Sequence, residues 1–171
     1  MWVALIASLV SGALIVYGLL TRKDNKLLPQ VKHVNAPIFL TVAEGYPDVS
    51  RALVAAEEFW DEQVPGCNLI ALEFTDLSNV VPVMPMLDGP CAEAKLRILK
   101  GMIQSAVIRI NMTVWYDLSE SAQAHALAHE IGHCFGLDHD DYPNSIMYSK
   151  LTPTSPEVTD VDKEFLMQSV G

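Results

Sequence analysis

Hydrophobic and polar residues along the chain fall into three regimes. Trp2 to Leu20 carries no charge and is interrupted only by Ser8, Ser11, Gly12, Tyr17 and Gly18. A helix of that length, rising about 1.5 Å per residue, matches the ~30 Å hydrocarbon core of a bilayer. The run is apolar on all sides, which argues against a half-buried helix of a soluble core. Arg22, Lys23 and Lys26 follow at once, and Thr21 to Ala36 is polar and linker-like. From Pro37 onward the pattern is that of a folded domain, alternating in places and helical in others.

Pro37 to Glu44 alternates and is rich in β-formers, which predicts a strand. Val49, Leu53, Ala56 and Trp60 recur at helical spacing. They predict a helix capped by Asp48 or Ser50, running to about Gln63 and stopped by Pro65-Gly66. Asn68 to Phe74 predicts a second strand. Val80 to Met86 is extended, but Pro82 and Pro85 cannot donate to a ladder, which predicts an edge or irregular strand. Ala92 to Lys100 gives a weak signal. Ser105 to Val114 predicts a strand, with Val107, Ile110 and Met112 competing for the core face.

The strongest helix starts at a capping box of Asp117 and Glu120, or with Ser119 as the cap. It continues through Ala122, Ala124, Ala126, Leu127 and Ala128 to Phe135, and Gly136 ends it. A last helix is predicted from about Pro156 to Gln168, with Val161, Phe165 and Leu166 facing inward. Strand, helix, several strands, helix, irregular segment and helix make an α+β domain. The chain thus divides into a transmembrane anchor with its basic flank at 1–26, a linker at 27–36 and a domain at 37–171.

Two readings of the apolar run compete. A cleaved signal peptide needs a basic start, a shorter apolar stretch and a small-residue cleavage site. No Lys or Arg precedes Trp2, and Val16 to Leu20 holds no Ala-x-Ala-like site, so the flanks favour an uncleaved single-pass anchor. Secretion after signal cleavage is the alternative. Three basic residues just after the span place the domain in the cytoplasm by the positive-inside rule. Composition changes the picture in one respect. The 171 residues hold 11 Lys and Arg against 21 Asp and Glu, a net charge of −10. So acidic a chain lacks the cations that replace phosphate counterions, which excludes nucleic acid as a partner.

Candidate chemistry concentrates in His129-Glu130-Ile131-Gly132-His133-Cys134-Phe135-Gly136-Leu137-Asp138-His139, which holds three of the five histidines. His129 and His133 stand four apart on a helix, so their rings share one face and can reach one Zn²⁺. Glu130 lies beside such an ion rather than on it, which suits a general base for the attacking water. Gly136 sits where the chain must turn for His139 to complete a three-histidine set. Three protein ligands leave a fourth position open, the mark of a catalytic zinc site.

These residues resemble the long zinc signature of the metzincins, HExxHxxGxxH. Ser145-Ile146-Met147-Tyr148 resembles the methionine turn that the family places beneath its metal, and the compact spacing is most similar to the matrix metalloproteinase branch. The likeness is specific over 129–148, topological over 37–128 and absent over 1–36. It implies a small zincin domain with a twisted mixed sheet and one catalytic zinc on His129, His133 and His139. It further implies Glu130 as general base, Met147 as the apolar floor and Tyr148 in the pocket for the residue after the scissile bond. Departures are plain. Ser149 replaces the proline that follows Met-Tyr in the matrix enzymes, so a taste for collagen is not transferred. Only His33 lies upstream of residue 125, so that branch's structural zinc is not expected. Nor is latency through a cysteine switch.

Other residues carry weaker signals. His125 lies one turn before His129, as a substrate contact or as packing. Asp138, Asp140 and Asp141 crowd the third histidine, and one of them could orient a ligand imidazole. As a calcium site they lack the spacing of a known loop, so Ca²⁺ is without support. Cys134 reads as a buried thiol, while Cys67 and Cys91 each flank a turn and could pair. A bridge there implies an oxidising compartment. That and the resemblance set a slight preference for the external side of the membrane against the charge rule. The expected function is a membrane-anchored zinc endopeptidase acting on peptides or proteins. The alternatives are a non-catalytic zinc-stabilised structural or adhesion module and a cell-wall peptide hydrolase.

Overall fold

The computed structural model describes residues 32–33, 38–42, 45–66, 70–71, 80–152 and 155–170. In chain order these form β1 (Lys32–His33), β2 (Ile38–Val42), α1 (Pro47–Gln63), β3 (Ile70–Ala71), β4 (Val80–Met86), β5 (Ala92–Leu99) and β6 (Met102–Asn111). Then follow α2 (Met112–Trp115), α3 (Glu120–Cys134) and α4 (Asp160–Val170). The apolar run at 2–20, the basic flank and Cys67 lie outside the described residues. Among those described, no helix is long and apolar enough to cross a membrane.

One mixed sheet organises the domain, as expected for an α+β fold. Its strands run β1-β6-β4-β2-β3 in parallel, and β5 pairs antiparallel with β6. The proline-bearing β4 is not at the edge but between β2 and β6. Its neighbours are staggered: β2 pairs residues 80–83 and β6 pairs residues 83–86. Each half of β4 therefore has a partner on one side, and a proline can turn its missing donor to the other. The weak segment from Ala92 is a full strand held by its ladder to β6, a case of tertiary pairing overriding local pattern.

Three other boundaries differ from the sequence pattern. β6 starts at Met102, and Ala106, Ile108 and Ile110 face the core, so Val107 is only half-buried and Met112 belongs to α2. The residue before α1 is Tyr46, with no side-chain cap; Pro47, pre-set for a first helical position, opens the helix and leaves Asp48 and Ser50 inside its first turn. α4 begins at Asp160, where Thr159 caps it through a hydroxyl shared with Asp162. Phe165 and Leu166 face inward, but Val161, in the first turn of the helix, is 77% exposed.

Helices α1 and α3 pack together over the core. Val49, Leu53, Ala56 and Trp60 are buried as the helical spacing predicts. The Trp60 indole N–H donates to the Ala128 carbonyl at 3.1 Å, and its ring meets Phe135 edge-on. These two contacts hold α3 on either side of its histidines, one residue before His129 and two after His133.

The β5–β6 turn is tight. Lys100 and Gly101 both have positive φ, 54° and 76°, as a two-residue hairpin of the primed type requires. Among the described residues Lys100 is the one non-glycine in that region, where a Cβ is strained. Lys100→Asn, which suits the left-handed region, is expected to raise the urea midpoint of the chain, by up to about 1 kcal/mol of stability. An unchanged or lower midpoint contradicts the strain.

Candidate metal centre

Helix α3 delivers the first two histidines. Ser119 caps it, its Oγ accepting the Ala122 N–H, so the Ser119 reading holds over Asp117. The helix ends in a Schellman turn. The Gly136 N–H donates to His133 O at 2.9 Å and the Leu137 N–H to Gly132 O at 3.1 Å. Gly136 has φ of 90°, which supplies the reversal that the sequence required of it. The chain then swings back, and the His139 ring comes against the other two, with centroids 5.1 Å from His129 and 4.7 Å from His133.

The nitrogens converge. His139 Nε2 lies 3.1 Å from His129 Nε2 and 3.2 Å from His133 Nε2. A tetrahedral zinc at ~2.0–2.1 Å from each ligand asks for nitrogens roughly 3.3 Å apart. The other ring nitrogens set the tautomers. His129 Nδ1 contacts the Ile146 carbonyl at 2.7 Å and His133 Nδ1 the Leu137 carbonyl at 2.8 Å. A carbonyl only accepts, so each Nδ1 carries the proton and each Nε2 turns its lone pair to the shared centre. The donor set therefore fits one zinc ion, and among the described residues these three form the group able to hold a metal.

The Asp residues do not serve as orienting partners for His129 and His133; backbone carbonyls do. Asp138 instead accepts the His139 N–H, and Asp140 accepts the Tyr142 N–H. Asp140 also donates its N–H to the Met147 carbonyl at 3.2 Å, which ties the third histidine's segment to the methionine loop. That loop is pinned in turn. Ser145 Oγ accepts the Met147 N–H, and Ile146 and Glu157 hold one another's segments by backbone bonds at 2.8 Å.

Met147 is fully buried beneath the site. A Cβ on Gly132 would lie 2.5 Å from its sulfur and 3.3 Å from the Trp60 ring, so α3 must lack a side chain there. Sequence reasoning passed over Gly132. The signal was present, since a glycine inside a strong helix costs about 1 kcal/mol relative to alanine and needs a reason. The carbonyls of Leu137 and Ile146 had no signal in the side-chain pattern.

Glu130 is 7% exposed and sits on the side of α3 that meets β5. Burial raises its carboxyl to about 7; the Ala94 N–H opposes this and Glu93 adds to it. Burial also lowers His129 to about 4 and His133 to about 3, with the neighbouring imidazoles contributing, and lowers His125. His125 is buried one turn before His129. Tyr148 follows Met147, half-buried, its N–H donating to Ser145 O at 3.1 Å. Cys134 is a buried thiol raised by burial, and half-buried Cys91 has no disulfide partner among the described residues.

A helix bearing two histidines and a buried glutamate, a glycine turn, a third histidine and a methionine floor define the class: a zinc-dependent peptidase of the metzincin type. A family model described as matrixin matches residues 49–167, most of the chain and the whole of the site. The chain belongs to the matrixin family and is a zinc metalloendopeptidase with one catalytic zinc. Among curated proteins none matches it in sequence. The crystal structure of archaemetzincin from Methanopyrus kandleri is similar at 15% identity, over 84% of this chain and 98% of that one, with a TM-score of 0.49.

Two outcomes follow from this geometry. Gly132→Ala is expected to destabilise the metal-loaded chain by about 1–3 kcal/mol, the cost of overpacking, and to weaken zinc retention against a chelator. Wild-type values on both counts contradict the close approach of Met147. The second concerns the metal-free chain. Unfolding returns the three depressed histidines to their ordinary value of 6.5, so protons favour the unfolded state. The histidines cost stability progressively as pH falls from about 6.5 toward about 3, while Glu130, raised to about 7, gains its proton first in the folded chain and offsets part of that loss between about 7 and 4.5, so a net loss remains. Urea midpoints in excess chelator across that range check it, and a flat profile contradicts it.

Proposed function

We propose that this endopeptidase cuts peptide bonds with Glu130 as its general base and works tethered to a membrane by residues 2–20. The observation that carries the first part is the placement of Glu130. Its carboxylate is buried next to a ligand histidine, on the side facing β5, and receives the Ala94 N–H. A carboxylate has no structural task at a three-histidine site, which is why the structural-module alternative leaves Glu130 without a role.

Zinc, when bound, supplies Lewis acidity toward the scissile carbonyl. Everything else falls to the chain. His129, His133 and His139 present lone pairs to one point. Glu130 takes a proton from the attacking water as its oxygen meets the carbonyl carbon, and delivers that proton to the departing amine nitrogen. Met147 keeps the floor apolar and dry, and Tyr148 lines the pocket for the residue after the scissile bond. His125, buried behind His129, packs and adds to the field that keeps His129 neutral. The acidic chain suits neutral or basic substrates.

The tether rests on the uncharged stretch at 2–20 with its basic flank at 22–26, and the organisation proposed is anchor 1–26, linker 27–36 and catalytic domain 37–171.

The test compares the full chain with Glu130→Ala against a mixed peptide library, with zinc content measured in both. Loss of one proton-transfer group is expected to slow cleavage about 10²–10⁴-fold while zinc is retained. A variant that holds zinc and cleaves like wild type removes Glu130 from the mechanism.

A further inference from the structure

The β5–β6 hairpin stands apart from the rest of the domain in charge. Residues 92–111 carry Lys95, Arg97, Lys100 and Arg109 against one carboxylate, Glu93, in a chain whose net charge is −10. Glu93 is shared by Lys95 and Arg109 at 3.3 and 3.2 Å. Among the described residues, Arg97 and Lys100 have no ion-pair partner.

The same hairpin exposes apolar side chains at its tip: Leu99 is 55% and Met102 40% exposed. They share a face with the cations. Arg97 pairs Ser105 and Ile98 pairs Ile103, so Gln104 is an extra residue in β6, a bulge. Because β6 takes up the extra residue, Lys95, Arg97 and Leu99 stay on one face of β5. Leu99 pairs Met102, and on the opposite face Ile98, itself 44% exposed, pairs the buried Ile103. The turn keeps Lys100 in a left-handed conformation that asparagine or glycine would fill with less strain.

The position of the tip supplies the third observation. β1 pairs in parallel with the first residues of β6, Lys32 with Met102 and His33 with Ile103. The chain therefore enters the described domain at the hairpin tip. Leu20 and Lys32 are twelve residues apart, which spans at most about 40 Å when fully extended. A domain so tethered keeps this tip near the bilayer surface, at a local concentration that makes a weak contact count.

We propose that the face carrying Lys95, Arg97, Leu99, Lys100 and Met102 docks on an anionic lipid bilayer, the two apolar side chains entering the headgroup region and the cations meeting lipid phosphates and carboxylates. This rests on residues 2–20 being a membrane anchor. Its consequence is orientation. Leu99 lies five residues beyond Ala94, the partner of Glu130, so at about 3.3 Å per residue the catalytic centre stands roughly 17 Å along β5 from the docked tip. The site is then held at a set height above the lipid rather than swinging on its linker.

The test uses the full chain reconstituted in phosphatidylcholine vesicles with and without phosphatidylserine. p-Benzoylphenylalanine is placed at position 99, at 102, or at exposed position 161 on α4 as a control. Illumination is expected to give lipid adducts at 99 and 102 and not at 161, with higher yield when phosphatidylserine is present. Lys100→Asn and Arg97→Ala are each expected to lower the yield roughly fivefold, the size of one surface cation's attraction to an anionic leaflet. Four results overturn the proposal. Adducts to a second copy assign the face to self-association, and adducts to residues 1–31 assign it to the chain's own segment. Absence of adducts while the protein floats with the vesicles leaves the anchor intact and removes the docking. A protein that does not float removes the anchor, and the docking with it.

Discussion

Two backbone carbonyls, those of Leu137 and Ile146, determine how the imidazoles face one another. By accepting the Nδ1 protons of His133 and His129 they leave both Nε2 lone pairs pointing at the same small volume. Without a cation those lone pairs repel, and with one they become ligands. The carbonyls come from opposite sides of the site. Leu137 belongs to the turn that ends α3, and its own N–H closes that turn on Gly132. Ile146 belongs to the methionine loop, seventeen residues from His129. The metal site is thus fixed where helix end and loop meet, and the Asp140-to-Met147 backbone bond locks the two together.

The sheet does its part at a distance. Trp60 on α1 bonds α3 one residue before His129, and the same ring crowds the space that a side chain at Gly132 would need. Met147 fills what is left. A helix, a loop and a tryptophan from a second helix therefore share one contact around a missing Cβ. On the other face of α3, β5 offers the Ala94 N–H to Glu130, so the strand that was weakest in pattern meets the candidate base. Burial acts in opposite directions on the two kinds of group. It keeps the imidazoles neutral, as ligands must be, and holds the carboxyl near neutrality, as a proton carrier should be.

Much of this was legible in the residues. The HExxHxxGxxH spacing located the three histidines, the turning glycine and the neighbouring glutamate, because helical periodicity and a positive-φ turn leave few ways to arrange them. α3 followed from its period and the Ser119 cap, and the buried stripe of α1 from period alone, since that helix opens at Pro47 without a side-chain cap. The structure departed where a long-range partner decided the outcome. β4 became central despite Pro82 and Pro85 because its neighbours are staggered. β5 formed because β6 was there to pair. For His129 and His133 the orienting partners are main-chain carbonyls, which no side-chain pattern announces.

The central claim is that one zinc sits on three imidazoles and on no sulfur, although Cys134 is next to His133 in sequence. X-ray absorption at the zinc edge of the metal-loaded chain tests this directly. A nitrogen and oxygen shell at ~2.0–2.1 Å with the multiple-scattering signature of three imidazoles is expected. A sulfur shell near about 2.3 Å, or fewer than three imidazoles, would contradict the site described for this chain.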